Sequence, residues 1–247
     1  EARLAGARVV ALPRRDLARR LPPDEVRAAA EREAARLVWL CTPNNPTGDL
    51  TPLDEIRALA EDLAALVVVD EVYLDFAEDE AGVPSFSTSA VRLQDELPNV
   101  LVLRSFSKAY AMAGARVGYL VLPEGLADRF DAIRLPLSVA APSETLALAA
   151  LADEDAARER RLRIIEARER LSGALAAAGA EVLPSRTNSI AFRPAGRDAA
   201  SVDEALLARG VAVRRYDTGP MAGWLRATAR LDAEEDRLLA ALTEVLA

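Results

Sequence analysis

Short apolar runs recur along this chain, and they restrict its possible folds more than any other feature of the sequence. Amphipathic stretches that suit helices, such as residues 52–65, separate several of these runs. Strands that are apolar on both sides are typical of a parallel sheet covered on both faces, so the pattern predicts an α/β fold with a parallel-rich central sheet. The predicted strands are RVVAL (8–12), LVWLC (37–41), LVVVD (66–70), VLVLR (100–104) and VGYLVL (117–122).

The pattern changes after Pro142. Residues 143–180 form a long helical region of one or two helices that ends near Gly179, and its charged residues at 153–170 are predicted to lie on a solvated helix face. Shorter strand-like and helical segments follow. We therefore predict the remainder of a larger α/β domain over 1–142 and a smaller α+β domain over 143–247. The later predicted strands are 180–184, 188–194, 210–216 and 223–229, with helices over 201–210 and 232–247.

Composition excludes several classes of function. The net charge of −8 argues against a nucleic-acid-binding protein, since such affinity depends largely on neutralising phosphates. The chain contains no histidine, which removes Ser-His-Asp hydrolysis, histidine metal sites and an imidazole general base. Cys41 is the single cysteine, so no internal disulfide or cysteine metal cluster can form, and we expect a cytoplasmic protein without a metal. No apolar run is long enough for a membrane span.

Lys108 is the only lysine among 31 basic residues. Arginine replaces lysine well as a surface cation, but a guanidinium stays charged and cannot act as a primary amine. An Arg-rich composition could leave one lysine by chance. The alternative is that the chemistry at this position requires an amine.

Polar residues follow three of the predicted strands, at the edge where α/β sheets bind ligands. The turn-forming segment Asn44–Gly48 comes after the strand at 37–41, and Asp70 ends the strand at 66–70. These features also suit an ordinary turn and a helix cap. Together, however, the strand ends bring an amine, a carboxylate, a phenol and a group of phosphate-binding donors into one region. The remaining members of this group are Tyr73, Ser105, Ser107, Lys108 and Arg116.

Four motifs, in the order PNNPTG, VVDEVYLDF, SFSKAYAMAGARVGY and WLRATA, resemble the fold-type I aminotransferases (class I/II) that use pyridoxal 5′-phosphate (PLP), most closely their histidinol-phosphate aminotransferase branch. The resemblance implies an aspartate aminotransferase-like fold. It also implies that Lys108 forms the Schiff base with PLP and that Asp70 pairs with the pyridinium nitrogen. By the same resemblance Asn45 and Tyr73 bond the ring 3′-oxygen, and Arg226 binds the substrate α-carboxylate. The implied phosphate ligands are Ser105, Ser107 and Arg116.

The resemblance also suggests a substrate. Arg214 matches an arginine that contacts the substrate phosphate in histidinol-phosphate aminotransferases, although it also suits an exposed strand end. Arg215 next to it would face the other way in a strand. Asn188 resembles a position near the substrate. The implied reaction moves an amino group between histidinol phosphate, or an aromatic amino acid, and 2-oxoglutarate, in a homodimer that serves amino-acid biosynthesis.

Two alternatives remain open. A decarboxylase of the same fold, such as L-threonine-O-3-phosphate decarboxylase, would share the cofactor residues, and a non-catalytic PLP-binding module or degenerate fragment would keep them without turnover.

In the family, about a hundred residues precede the point that corresponds to Glu1, a length consistent with part of an α/β domain. They normally supply a phosphate-binding loop, an aromatic ring stacked on the pyridine and parts of the dimer contact. We therefore expect further sequence upstream of Glu1.

Overall fold

The structure, a computed structural model that describes residues 2–77 and 87–246, contains two four-stranded sheets. In the first sheet the four strands lie in chain order. The first three run parallel to one another, and the fourth is antiparallel to the third. The sequence patterns predict all four strands to within one residue at each end. They are β1 (Leu37–Cys41), β2 (Leu66–Asp70), β3 (Val100–Ser105) and β4 (Gly118–Val121).

Helices α1 (Pro23–Arg32) and α2 (Leu53–Ala60) pack on this sheet. Ile56 of α2 is fully buried against the core that contains Val67 and Val102, which explains why these strands are apolar. The helix predicted over 52–65 is shorter than expected. It ends at Ala60, and Asp62 takes a φ of +57° in the turn that follows.

The strand predicted over residues 8–12 is absent from the structure. This segment has no regular secondary structure, and Val9 and Val10 are each 45% exposed. A groove of about 880 Å³ lies between residues 2–12 and β1. An apolar, β-branched segment becomes a strand only where a neighbouring strand accepts and donates its backbone hydrogen bonds, and within the described residues none lies beside it.

A helical region connects the two sheets, as the sequence predicts. The short α3 (Ala127–Asp131) comes first, followed by α4 (Ala141–Ala152) and α5 (Glu154–Ala177). Asp153 separates α4 from α5 with a φ of −120° and ψ of 57°, and its side chain accepts a hydrogen bond from the backbone N–H of Ala156 at the start of α5. After α5 the chain turns at Gly179, whose φ is +80°.

The second sheet is antiparallel throughout, with the strand order β5-β6-β8-β7. Its core contains Phe192 and Leu225, which are fully buried, together with Leu171 of α5. The predicted strand over 210–216 shrinks to two residues. The elements are β5 (Glu181–Val182), β6 (Ser189–Arg193), α6 (Ala199–Ala208), β7 (Arg214–Arg215), β8 (Leu225–Thr228) and α7 (Ala233–Leu246).

The prediction that the charges at 153–170 are solvated is wrong for two arginines of α5. Arg161 is 6% exposed, and Arg168 is completely buried. The reason is the position of α5, which contacts the short 3₁₀ turn after β2 as well as β5, β6 and α7. Since several elements cover this helix, charged residues on it can face protein where the sequence pattern predicts solvent.

The division of the chain into domains at residue 142 stays a prediction, with one sheet on either side of it. Within the described ranges, 2–77 and 87–246, no helix combines the length and apolar character that crossing a bilayer requires. The C-terminal helix predicted over 232–247 is described as far as Leu246.

Candidate active site

The carboxyl ends of β1, β2 and β3 form the edge on which the candidate site is built. Cys41 is the register partner of Asp70, and Asp70 in turn is the partner of Leu103. Two strands that run parallel bring their following loops to the same side of the sheet. The turn-forming segment 44–48 and the loop that carries Lys108 therefore leave the sheet beside Asp70.

Asp70 is half-buried, and its carboxylate accepts a hydrogen bond from the backbone N–H of Val72 at 3.3 Å. Burial raises the pKa of this carboxyl group above its ordinary value, although hydrogen bonds from Val72 and the Trp39 side chain oppose the shift. A buried carboxylate is more stable with a cationic or N–H partner. Asp70 is thus suited to receive such a donor from a bound molecule.

Asn45 connects the two sheets through both ends of its amide. Its Nδ2 donates to the hydroxyl of Tyr73 at 3.0 Å, and its Oδ1 accepts from Nη1 of Arg226 in β8 at 2.6 Å. Burial raises the pKa of the Tyr73 phenol. The Nε of Arg226 is also buried, and within the described part of the chain it has no hydrogen-bond acceptor. Arg226 therefore has a donor left for an anion.

Lys108 lies on the turn that follows β3 and is half-buried. The backbone carbonyl of Lys108 accepts a hydrogen bond from Ala111, which closes this turn. The lysine Nζ stands 5.6 Å from the centre of the Tyr73 ring. The structure thus places the single primary amine of a side chain beside Tyr73, whose hydroxyl is bonded to Asn45.

The predicted phosphate ligands are only partly brought together. The Oγ of Ser105 donates to the carbonyl of Val117 at 3.3 Å and accepts from the backbone N–H of Ser107 at 3.0 Å. Arg116 is exposed, with a φ of +58°, and its Nη1 donates to the carbonyl of Ala113 at 3.0 Å. The two serines therefore share one turn, whereas the guanidinium of Arg116 is bonded to its own loop.

Arg214 and Arg226 are direct cross-strand partners in β7 and β8. Side chains of such partners lie on the same face of a sheet, and two like charges in this position repel each other. Arg214 is exposed and stands 5.9 Å from the centre of the Tyr216 ring. Arg215 is held on the other face by Asp217 at 2.7 Å and Asp203 at 3.6 Å. An anion near Arg214 and Arg226 would relieve the repulsion between them.

Asn188, the remaining predicted site residue, is half-buried just before β6. Its backbone carbonyl accepts from the N–H of Ala229 at 2.9 Å, which fixes it beside β8. Its side chain stays a predicted contact of the substrate.

The sequence does not predict the buried ion pair that Glu71, the residue after Asp70, forms with Arg104. Glu71 is fully buried and accepts hydrogen bonds from Ser89 Oγ at 2.7 Å and from Ala90 N at 2.6 Å. Its Oε2 also lies 3.3 Å from Nε of Arg104, the residue before Ser105. Burial raises the pKa of Glu71. The pair ties the ends of β2 and β3 together, and the only hint in the sequence is the position of both charges at the ends of apolar strands.

The loop that carries Asn45 is fixed by residues that its motif does not reveal. Asp49 receives two hydrogen bonds from Arg14, at 2.6 and 2.9 Å. Gly48, with a φ of +84°, lies so close to Ser185 that a Cβ at position 48 would stand 2.6 Å from Ser185 Cα. The motif glycine thus permits contact with the second half of the chain as well as a tight turn.

Comparison with known proteins identifies the family. Residues 2–242 match the model of aminotransferase class I and II. The chain belongs to this family. The resemblance predicted from the four motifs is confirmed, and so is the α/β, aspartate aminotransferase-like fold.

Individual class I and II relatives show the same likeness. The histidinol-phosphate aminotransferase of Nitratidesulfovibrio vulgaris strain DP4 is 40% identical over 221 residues, which cover 88% of this chain and 57% of the relative. The crystal structure of histidinol-phosphate aminotransferase from Sinorhizobium meliloti in complex with pyridoxal-5′-phosphate has a TM-score of 0.83 at 36% identity, covering 98% of this chain and 65% of that one. The structure of a decarboxylase from Sulfurospirillum multivorans has a TM-score of 0.80 at 27% identity, and the match covers 92% of this chain and 66% of the decarboxylase chain. The chain spans less than two thirds of each of these proteins.

Proposed function

We propose that the protein is a PLP-dependent aminotransferase, and one observation carries this proposal. Asn45, Tyr73, Lys108 and Arg226 come from four distant parts of the sequence and meet in one cluster. The cluster contains an amine, a buried phenol, an amide and a guanidinium with a buried donor. These are the groups that a cofactor aldehyde and a substrate carboxylate require.

The donors and acceptors present fit PLP. Asp70 is a half-buried carboxylate whose raised pKa reflects burial, and a protonated ring nitrogen would supply the partner that stabilises its charge. Tyr73 and Asn45 would hold the ring oxygen, and the turn of Ser105 and Ser107 offers donors for the phosphate. Arg116 would have to leave the carbonyl of Ala113 to join them. When bound, PLP supplies an electron sink that stabilises negative charge at the substrate Cα.

The protein residues would then perform the proton transfer. The Nζ of Lys108 would hold the cofactor covalently until a substrate amine replaced it. The free amine of Lys108 would then be the general base for the proton on the substrate Cα. Arg226 would fix an amino-acid substrate by its carboxylate, or an amino-alcohol phosphate by its phosphate, so that the Cα stays within reach of Lys108.

The two cross-strand arginines indicate an anionic substrate. Glutamate, the product from 2-oxoglutarate, carries two carboxylates, and an amino-alcohol phosphate such as histidinol phosphate carries a phosphate. Arg226 and Arg214 together suit either one. The relative of 40% identity favours histidinol phosphate, with an aromatic amino acid as the alternative. A homodimer and a cytoplasmic location of the whole protein stay predictions from the family resemblance.

The central test is an absorbance scan after PLP is added, followed by borohydride reduction and mass spectrometry. We expect a new band and a covalent adduct on Lys108, and we expect both to be absent in Lys108→Arg, because a guanidinium does not form the bond. The Arg variant keeps the charge, so it separates loss of the amine from loss of a cation. An unchanged band in Lys108→Arg would remove this residue from the reaction.

A decarboxylase is the second candidate, and the likeness to the Sulfurospirillum multivorans enzyme favours it. The same residues serve both reactions, and the outcome depends on which Cα bond is aligned with the cofactor. Incubation with histidinol phosphate and 2-oxoglutarate should yield glutamate if the protein is an aminotransferase. Release of carbon dioxide from O-phospho-L-threonine without glutamate formation would instead assign it to the decarboxylases. Binding of PLP with neither product would indicate a non-catalytic module.

A further inference from the structure

Arg168 of α5 connects the two halves of the chain from a fully buried position. Its Nη1 donates to two backbone carbonyl groups, that of Phe76 at 3.0 Å and that of Thr187 at 3.1 Å. The guanidinium also pairs with Glu169 at 2.7 Å, a residue whose side chain is 63% exposed. Burial of a charge is unfavourable unless hydrogen bonds compensate for it, so the two carbonyls are part of what keeps Arg168 in place.

Both carbonyls belong to segments that hold residues of the proposed site. The N–H of Phe76 donates to the carbonyl of Tyr73 at 3.0 Å, so Phe76 closes the turn on which Tyr73 lies. Thr187 immediately precedes Asn188 and β6. Ser189 of β6 is the register partner of Thr228, two residues beyond Arg226 in β8. Arg168 thus bonds to the segment that continues from Tyr73 and to the segment that leads into β6, the neighbour of the strand that carries Arg226.

Residues 185–188 form a seam, by which we mean the segment of the second half of the chain that contacts the first half. The N–H of Arg186 donates to the carbonyl of Gly48 at 2.7 Å, and Ser185 is in close contact with Gly48. Arg168 then binds the carbonyl of Thr187. The seam is therefore held at Gly48 on one side and at Arg168 on the other. The 2.6 Å bond between Arg226 and Asn45 lies across the same junction.

We propose that Arg168 is a positioning residue that sets the distance between Arg226 and the Tyr73–Asn45 pair. This inference rests on the proposed function, since it assigns to Arg226 the binding of a carboxylate. A buried arginine is often no better for stability than an apolar residue of similar size. Two hydrogen bonds from one Nη1 to carbonyls of two separate segments, however, fix the relative placement of those segments. An apolar side chain would fill the space without fixing that placement.

Arg170 offers a matched control on the same helix. Its guanidinium binds both carboxylate oxygens of Glu235 in α7, at 2.9 and 2.5 Å. Both residues belong to the second half of the chain and lie outside the seam. Arg170→Met thus removes an arginine and an ion pair from α5 and leaves the junction with Phe76 intact.

The experiment compares Arg168→Met, Arg168→Lys and Arg170→Met in the full-length protein. The first measurement is the dissociation constant of glutarate, an unreactive dicarboxylate, by calorimetry. The second measurement compares the change in KM with the change in kcat for the amino-acid substrate. We expect both Arg168 variants to weaken glutarate binding about tenfold and to raise KM more than they lower kcat, because a misplaced Arg226 loses alignment with the carboxylate. Arg170→Met should stay within about twofold of wild type in both measurements, because Arg170 and Glu235 share no partner with the seam.

Equal glutarate affinities in Arg168→Met and Arg170→Met would overturn the proposal. Failure of both Arg168 variants to fold, while Arg170→Met folds, would also overturn it, because the role of Arg168 would then be folding alone. The PLP band of the wild type is recorded first. If that band is absent while glutarate binding still depends on Arg168, the proposed function fails and the positioning role stands.

Discussion

Lys108 extends from the turn after β3 toward the Tyr73 ring, and every other basic position in the chain is arginine. A guanidinium at position 108 would preserve the charge and remove the amine that we propose as the nucleophile. The roles that we propose for Tyr73 and Asn45 also come from their motifs, through the family resemblance. Those of Arg168 and Glu71 do not, because their partners are backbone groups or residues that only the fold brings near.

At the same scale, the ionisation of Asp70 should change the free energy of unfolding in the direction opposite to that of a carboxylate paired with a cation. Burial raises the folded-state pKa of Asp70, so the folded protein binds this proton more tightly than the unfolded chain, and its free energy of unfolding falls as pH rises through the interval between the two pKa values. Replacing Asp70 with Asn removes the titrating group. We expect the cofactor-free Asp70→Asn protein to be more stable than wild type at pH 7, with PLP binding weakened.

Urea unfolding at a series of pH values measures this effect. The difference between Asp70→Asn and wild type should disappear below the ordinary carboxyl pKa of about 4, where both proteins carry an uncharged group at position 70. A constant difference across the whole pH range would show that the titration of Asp70 does not cause it.

At the scale of elements, the sequence predicts a strand correctly where the segment has another strand beside it. The runs at 37–41, 66–70 and 100–104 became β1, β2 and β3 because each has a strand beside it and helices above it. The equally apolar run at 8–12 did not become a strand, since a groove separates it from β1. The charges of α5 were misjudged for a related reason. Periodicity shows which face of a helix is polar and gives no information about what covers that face.

Strand β7 provides a prediction that belongs to this scale. Its two arginines lie on different faces of the sheet. Arg214 is the cross-strand partner of Arg226, and Arg215 is bonded to Asp217. Arg214→Gln should raise KM for a phosphorylated substrate at least tenfold, since a hydrogen bond to a charged group contributes about 1.5–3 kcal/mol. It should change KM little for an aromatic amino acid, which has no second anionic group. Arg215→Gln is the control and should affect both substrates equally. Steady-state kinetics on the two substrates tests this prediction. If Arg214→Gln raised KM equally for both substrates, Arg214 would have no phosphate-binding role.

At the scale of the whole molecule, the proposed site lies where the two halves of the chain meet. Asn45 and Tyr73 come from the first half and Arg226 from the second, and the bonds of residues 185–188 determine how these halves fit together. The motifs predict which residues belong to the proposed site, and the structure links Asn45, Tyr73, Lys108 and Arg226 by direct contacts. The motifs do not predict the seam, because its hydrogen bonds run mainly through backbone carbonyls, which no sequence pattern marks.

Two glycines test the seam. Gly48 and Gly179 both have a positive φ, of +84° and +80°, but only Gly48 has a close neighbour, since a Cβ at position 179 would meet nothing within 4 Å. Alanine at either position introduces backbone strain of about 1–2 kcal/mol. We expect Gly48→Ala to reduce the free energy of unfolding more than Gly179→Ala and to weaken glutarate binding as well. Urea titration and calorimetry measure the two effects, and similar values for the two variants would argue against close contact at Ser185.

The outer edge of β1 has a consequence for how these 247 residues behave in solution. Within the described part of the chain, β1 has a neighbouring strand on one side only, and Leu37 and Trp39 are 50% and 57% exposed. Unpaired backbone groups beside exposed apolar side chains readily capture another extended peptide. Association of this kind increases with protein concentration, so the colloidal stability of these residues in isolation depends on whatever covers that one strand.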